Sequence, residues 1–204
     1  LTRSMIVYGQ GAIRCHPFLQ DEVAAATAGD LPAFDRALFG HIGHVASMTA
    51  RSWWLGITDG RWSAHAPPSR QTRRLYGRFT RMSAAFALVS DVSLATLGAN
   101  LKRREKISGR LADALAWLYL GSAALKRFHD DREPDWALPF VRFSCEHALY
   151  EIQVALQGVL DNLPNHFAAR AVRPLVFPLG ARYRPPTDAL GALVARGLLE
   201  EHDA

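Results

Sequence analysis

From Ile107 onward the apolar residues recur in alternating steps of four and three: Ile107, Leu111, Ala114, Leu118, Gly121, Leu125 and Phe128. That spacing lines one face of a 3.6-residue helix. Trp117, Leu120 and Ala124 add a second apolar stripe, which predicts a central helix buried on more than one side. Ala114 and Gly121 are small among large neighbours and would admit another helix closely. Five consecutive charged residues, Lys102 to Lys106, predict an exposed basic turn at the helix start.

The rest of the chain follows the same helical grammar. Thr2–Ile13 reads as an apolar helix losing regularity at Gly9 and Gly11, flanked by Arg3 and Arg14. Cys15-His16-Pro17 is a break, because proline suits the first turn of a new helix and disfavours helix at the residue before it. Phe18–Ala28 is that new helix. Gly29 ends it, Asp30 can cap its successor, and Pro32 sits early in the next turn. Pro32–Ile57 presents an apolar face of Phe34, Leu38, Ile42, Val45, Met48 and Trp53, and a small-residue face of Gly40, Gly43, Ala46 and Ala50. Gly56 to Pro68 reads as a loop, Arg70–Leu97 as helix, and Gly98-Ala99-Asn100 as a break. After a charged turn at Arg132–Asp135, Ala137–Leu163 is a helix with Leu149, Ile152, Leu156 and Leu160 inside, stopped by Pro164 and Asn165. Arg170–Leu179 predicts helix running into an irregular segment. Gly180–Pro186 is a loop, and Thr187 can cap a last helix, Asp188–Leu199. No strand-period segment or repeat is present. The expectation is all-α, a multi-helix bundle with long helices, short loops and no significant sheet.

Composition narrows the class without naming a function. The 204 residues allow one or two domains, and 49% apolar with 21% charged residues is a globular composition. A net charge of +5 favours anionic partners in general and gives no reason to expect nucleic acid. Cys15 and Cys145 are far apart and lack CxxC spacing, which argues against a disulfide framework or zinc ribbon and for a reducing compartment. Ser83–Leu101 has the length of a membrane span with one charge, Asp91. Its alanines, serines and central acid predict a buried core helix instead. The chain opens at Leu1 without a signal-peptide pattern and reads as a piece of a longer protein.

Candidate chemistry is sparse. His41 and His44 share a helical face, but no local carboxylate or cysteine joins them, so packing or polar contacts outweigh metal ligation. Adjacent Cys15 and His16 do not make a nucleophile–base pair, since such partners meet in space. Gly9-Gln10-Gly11 lacks the length of a dinucleotide fingerprint, and no Walker A or GxSxG pattern occurs. Arg70, Arg73, Arg74, Arg78 and Arg81 form one positive stripe, with Leu75, Phe79, Met82 and Phe86 turned away. The stripe is either a solvated face or a contact for an anionic surface, phospholipid headgroups or an acidic partner. Trp53, Trp54 and Trp62 precede it and fit an interfacial anchor, with burial in the core as the rival. Asp91 and Asp113, set in apolar helices, are expected to find an arginine or a backbone partner rather than act as bases.

Four segments, LTRSMIVYGQGAIRCHPF, FDRALFGHIGHV, ALVSDVSLATLGANLKRREKISGRLADALAWLYLGSAALKRFHDD and LPNHFAARAVRPLVFPLG, carry a resemblance over nearly the whole chain. They resemble bacterial fatty-acid acyl-CoA dehydrogenases of the FadE type, which carry an extra C-terminal helical domain. The resemblance implies a FAD-dependent enzyme of fatty-acid β-oxidation that converts a fatty acyl-CoA to the trans-2-enoyl-CoA. A glutamate takes the α-proton while a hydride leaves the β-carbon for the flavin, and an electron-transfer flavoprotein then reoxidises it. In that family the base lies in a Glu-Gly pair just before the segment matching Leu1–Arg14, so no catalytic residue is expected here. Arg3 matches an arginine after the base, expected to brace the segment rather than touch flavin. The implied division is 1–29, the end of the dehydrogenase helical core, and 30–204, the added domain. The chain alone is expected to be inactive, most of the FAD site lying outside it. The alternative is a non-catalytic helical module for membrane-surface or subunit docking. A cytoplasmic location, with inner-membrane association as an option, and a homo-oligomer as one outcome of an open oligomeric state, complete the expectations.

Overall fold

The computed structural model describes residues 16–63 and 70–200. The sequence readings on Thr2–Ile13, Arg3, Cys15 and Pro67-Pro68 lie outside the described residues. Among the described residues there is no strand, and seven α-helices account for the architecture. They are α1 (Leu19–Ala28), α2 (Leu31–Thr58), α3 (Arg73–Leu97), α4 (Glu105–Asp130), α5 (Leu138–Asn162), α6 (His166–Val176) and α7 (Asp188–Glu200).

Local capping explains where the helices begin and end. His16 Nδ1 accepts from the backbone N–H groups of Phe18 and Leu19 at 3.2 Å each, satisfying donors that α1 leaves unpaired. Gly29 ends α1 in the left-handed region at φ 69°, where a Cβ would be strained. Asp30 then caps α2 by accepting from Ala33 N–H at 3.0 Å. Asn165 does the same for α6 from Ala168 N–H at 3.1 Å, and Thr187 for α7 from Leu190 N–H at 3.3 Å. Asn165 therefore starts a helix as well as following one. This is why α6 opens at His166, ahead of the expected Arg170, and runs through Pro174.

The centre of the bundle is the antiparallel pair α4–α5. Ile107, Leu111, Ala114, Leu118, Gly121, Leu125 and Phe128 are all buried on α4. They meet Cys145, Ala148, Leu149, Ile152, Leu156, Val159 and Leu160 of α5. Gly121 is the tightest point: a Cβ there would collide with the Phe79 ring of α3 and press on Ala148. The second stripe of α4 behaves differently from its expectation. Leu120 is 53% exposed, and Trp117 and Ala124 are half-buried, so α4 is buried on one side only. The reason is the layer order: α3 and α5 share the first stripe, and among the described residues no element covers the far face.

Among the described residues no helix is long and apolar enough to cross a membrane. Ala84, Ala85, Leu88, Val89 and Ser93 of α3 are buried within the bundle, as the core-helix reading expects. Lys102 to Lys106 are exposed, across a short 3-10 turn and the start of α4. The two ends of α2 differ. Its C-terminal part is anchored: Ser52 donates to the Leu175 carbonyl of α6, and Gly56 lies where a Cβ would overlap Pro178. Its N-terminal part pairs mainly with α1, where Gly40 makes room for the Phe18 ring, 2.6 Å from a built Cβ. Gly43 meets nothing within 4 Å, and Ala46 and Ala50 are exposed, so only Gly40 of the small-residue face serves close packing.

Candidate functional site

Two polar centres interrupt the apolar packing, both between α2 and α3. The first is built by the turn after α2. Asp59 and Gly60 both adopt positive φ, 50° and 70°, and Gly60 N–H bonds back to the Leu55 carbonyl at 2.9 Å. Aspartate is among the few non-glycine residues that tolerate this region. Gly60 then crosses Gly77 of α3 backbone to backbone, so closely that a Cβ on either would collide with the other. This crossing sets the Asp59 carboxylate against one turn of α3. Arg78 Nε reaches Oδ2 at 3.1 Å, Arg81 Nη1 reaches Oδ1 at 3.3 Å, and Arg74 lies farther off at 3.7 Å. Tyr183, from the segment before α7, donates its hydroxyl to Oδ1 at 3.2 Å. Its ring lies under the guanidinium groups of Arg81 and Arg78, 5.0 and 5.5 Å from the centroid. The backbone of Tyr183 is itself fixed by Gln153 of α5, which donates to its carbonyl and accepts from its N–H, both at 3.0 Å.

Burial pushes the Asp59 carboxyl up, but Arg78, Arg81 and the tyrosine hydroxyl outweigh it and hold it below the usual carboxylate range. Burial pushes the Tyr183 hydroxyl up to about 12, with the Asp59 charge adding to it against Arg81. Asp59 is therefore an ionised structural anchor. The arginine stripe is not uniform along α3. Arg81 is only 1% exposed and belongs to the anchor, Arg78 is half-buried on it, and Arg70, Arg73 and Arg74 face solvent. Arg70 lies in the turn before α3, which starts at Arg73. Trp53 and Trp54 lie on the last turns of α2, and with Trp62 they are exposed rather than buried in the core. Beside Asp59 a hollow of about 380 Å³ is lined by Arg61, Arg74, Arg78, Arg182 and Tyr183.

The second centre joins α1, α2 and α3. His41 Nδ1 meets Glu22 Oε1 at 2.7 Å, and the His16 ring lies 4.5 Å from His41 and 5.9 Å from His44. His16 Nε2 faces Asp91 Oδ1 at 3.7 Å, too far for a hydrogen bond. Because Nδ1 accepts two backbone N–H bonds, the neutral ring carries its proton on Nε2. His16 is thus a cap without a free lone pair. Burial lowers its pKa, with His41 and His44 adding to that, against Asp91. Burial also pushes the Asp91 carboxyl up, beyond what the three histidines restore. The expectation of an arginine or backbone partner for Asp91 and Asp113 is corrected here: Asp91 faces histidine, and Asp113 is exposed. A hollow of about 300 Å³ opens beside Asp91, walled by Leu19, Val23, Leu94 and Leu101.

Among the described residues no group of three or more His, Cys, Asp and Glu side chains is arranged to hold a metal ion. Cys145 is fully buried and donates to the Gly121 carbonyl, and burial pushes its thiol up to about 12, which leaves it unreactive. The sequence reading did not single out Asp59, Arg61, Arg182 or Tyr183. The Asp59-Gly60 pair after a long helix does signal a positive-φ turn, whereas Tyr183 is 124 residues from Asp59 and carries no local sign of the contact.

No solved structure matches the chain. The family model for the bacterial-type acyl-CoA dehydrogenase C-terminal region matches residues 13–204, spanning both polar centres and the whole bundle, and the chain belongs to that family.

Proposed function

We propose that this chain is the C-terminal helical part of a FAD-dependent acyl-CoA dehydrogenase. The whole enzyme converts a fatty acyl-CoA to the trans-2-enoyl-CoA in cytoplasmic β-oxidation and passes electrons to an electron-transfer flavoprotein. The observation that carries this reading is the family match over residues 13–204. The proposed catalytic base lies in the segment before Leu1, with Arg3 bracing the chain after it. The proposed boundary places residues 1–29 with the dehydrogenase core and 30–204 in the added domain.

The chemistry of the described residues supports a structural role for this part. Asp59 is locked by arginines, His16 is a helix cap, and the Cys145 thiol is buried and protonated. Neither hollow fits a flavin. Among the described residues the apolar one offers one lysine, Lys102, and no arginine for a pyrophosphate. The basic one has polar walls and a carboxylate, Asp59, in its lining, which would repel a pyrophosphate. No step of flavin chemistry is routed through these residues.

The test has two arms. The DNA before the Leu1 codon should encode a Glu-Gly pair close by, and a dehydrogenase core before it. The purified 204-residue chain should fold, emerge colourless from desalting after incubation with FAD, and fail to reduce a dye with palmitoyl-CoA. A start codon beside Leu1 with no core upstream would favour a separate helical module. Acyl-CoA oxidation by the chain alone would overturn the assignment of the base.

A further inference from the structure

We propose that the arginine-rich hollow at the turn from α2 to α3, with the exposed Trp54 and Trp62 on the same turn, docks on the phosphate headgroups of an anionic lipid surface. The inference is independent of the reaction assigned to the parent enzyme.

Three observations carry it. First, cationic groups gather here from three parts of the chain: Arg61 after α2, Arg70, Arg73 and Arg74 at the start of α3, and Arg182 before α7. Among the described residues Asp59 is the single acid lining these two adjoining hollows, and its oxygens are held by Arg78, Arg81 and Tyr183. Among the described residues no carboxylate pairs with Arg61, Arg70, Arg73 or Arg182, and Arg74 only approaches Asp59 at 3.7 Å. The anchor thus spends two arginines on the aspartate and leaves five for an outside anion.

Second, exposed apolar side chains stand on the same turn. Trp54 is 50% and Trp62 74% exposed, packed edge to face at 6.5 Å, with Trp53 and Ile57 on the same side of α2. Isolated exposed apolar residues are ordinary, but clustered indoles beside guanidinium groups match the boundary between headgroups and acyl chains. Third, the shape is concave. A polar hollow of about 380 Å³ admits a phosphate headgroup between the guanidiniums, while the indoles contact the glycerol and first methylenes. An acidic protein would find the same charges, but exposed indoles on the same turn as the guanidiniums suit a lipid better.

The test uses the 204-residue chain with vesicles of phosphatidylglycerol and phosphatidylcholine, against phosphatidylcholine alone. Wild type should co-sediment with the anionic vesicles only, less so at high salt, with a blue-shifted tryptophan emission quenched by brominated lipid. Arg70→Glu with Arg73→Glu touches no folded contact at Asp59 and should weaken binding about tenfold or more. Trp62→Ser should keep the salt-sensitive binding but lose much of the blue shift. An equal charge reversal on the distant basic turn, Arg103→Glu with Arg104→Glu, should leave binding nearly unchanged. Equal loss in both double variants would assign the effect to net charge and overturn the proposal. So would absence of vesicle binding, or binding of inorganic phosphate or polyaspartate at these arginines without any affinity for vesicles.

Discussion

Asp59 and Asp91 are both largely buried aspartates between α2 and α3, yet the fold treats them in opposite ways. Burial pushes both carboxyls up. Around Asp59, two guanidiniums and a phenol lie within hydrogen-bond reach, and the pKa ends below the ordinary range. Around Asp91 stand three histidines, the nearest at 3.7 Å, and Oδ2 has no hydrogen-bond partner. The pKa ends above the ordinary range. The difference shows that sign of charge nearby is not enough. A partner must be permanently charged and geometrically able to donate before it offsets desolvation.

The largest test of this contrast is Asp59→Asn. Asparagine tolerates the left-handed backbone, so the change isolates the charge. It strands buried Arg81 and should cost about 4 kcal/mol in urea unfolding at pH 7. The cost should vanish in acid. The folded pKa of Asp59 is depressed, so its contribution is complete above the ordinary value of 3.8 and is lost as pH falls through the folded pKa. A loss of stability that persists unchanged in strong acid would mean that shape, not charge, holds the turn.

Gly77→Ala attacks the same anchor without touching a charge. The new methyl collides with the Gly60 carbonyl, so Asp59 must retreat from α3, at about 2 kcal/mol. Recovery by a further change at Asp59 rather than additive loss would confirm that the crossing acts through the carboxylate, in a double-mutant cycle. Tyr183→Phe keeps the ring under the guanidiniums and removes one bond to Asp59. It should cost about 1 kcal/mol, read from the urea midpoint.

Asp91→Asn is the smallest effect and has the opposite sign. A raised folded pKa means that the carboxylate costs stability progressively above the ordinary value of 3.8 and in full above the folded value. At pH 8, with Lys102 the one lysine or arginine lining the hollow among the described residues, asparagine should raise Tm. The gain should shrink toward zero below pH 3.8, the ordinary value. A lower Tm for Asp91→Asn at pH 8 would show that the histidines stabilise the charge after all, and would dissolve the comparison.

Periodicity exposed the core because burial on a helix follows its period. All seven residues of the α4 stripe are buried, as are Leu149, Ile152, Leu156 and Leu160 on α5. Capping residues act within four positions, so Gly29, Asp30 and Thr187 were legible too, whereas His16 as a cap was not. Leu120 misled, since an apolar residue reports a tolerance for burial and not the presence of a neighbour to bury it.

The candidate site was legible only in part. The arginine spacing on α3 stood out, but spacing cannot tell which of the five would turn inward. That depended on a carboxylate brought in by a backbone crossing at Gly60 and Gly77, and on a tyrosine from the far end of the chain. The order of residues determined the all-α class, most helix limits, the main buried stripes of α4 and α5, and the family. Tertiary structure alone decided that Arg81 is an anchor and Arg73 a free charge, and that Asp59 is held ionised while Asp91 is not. Charge–charge and desolvation energies depend on distances between segments far apart in the chain, and those distances exist only once the helices have packed.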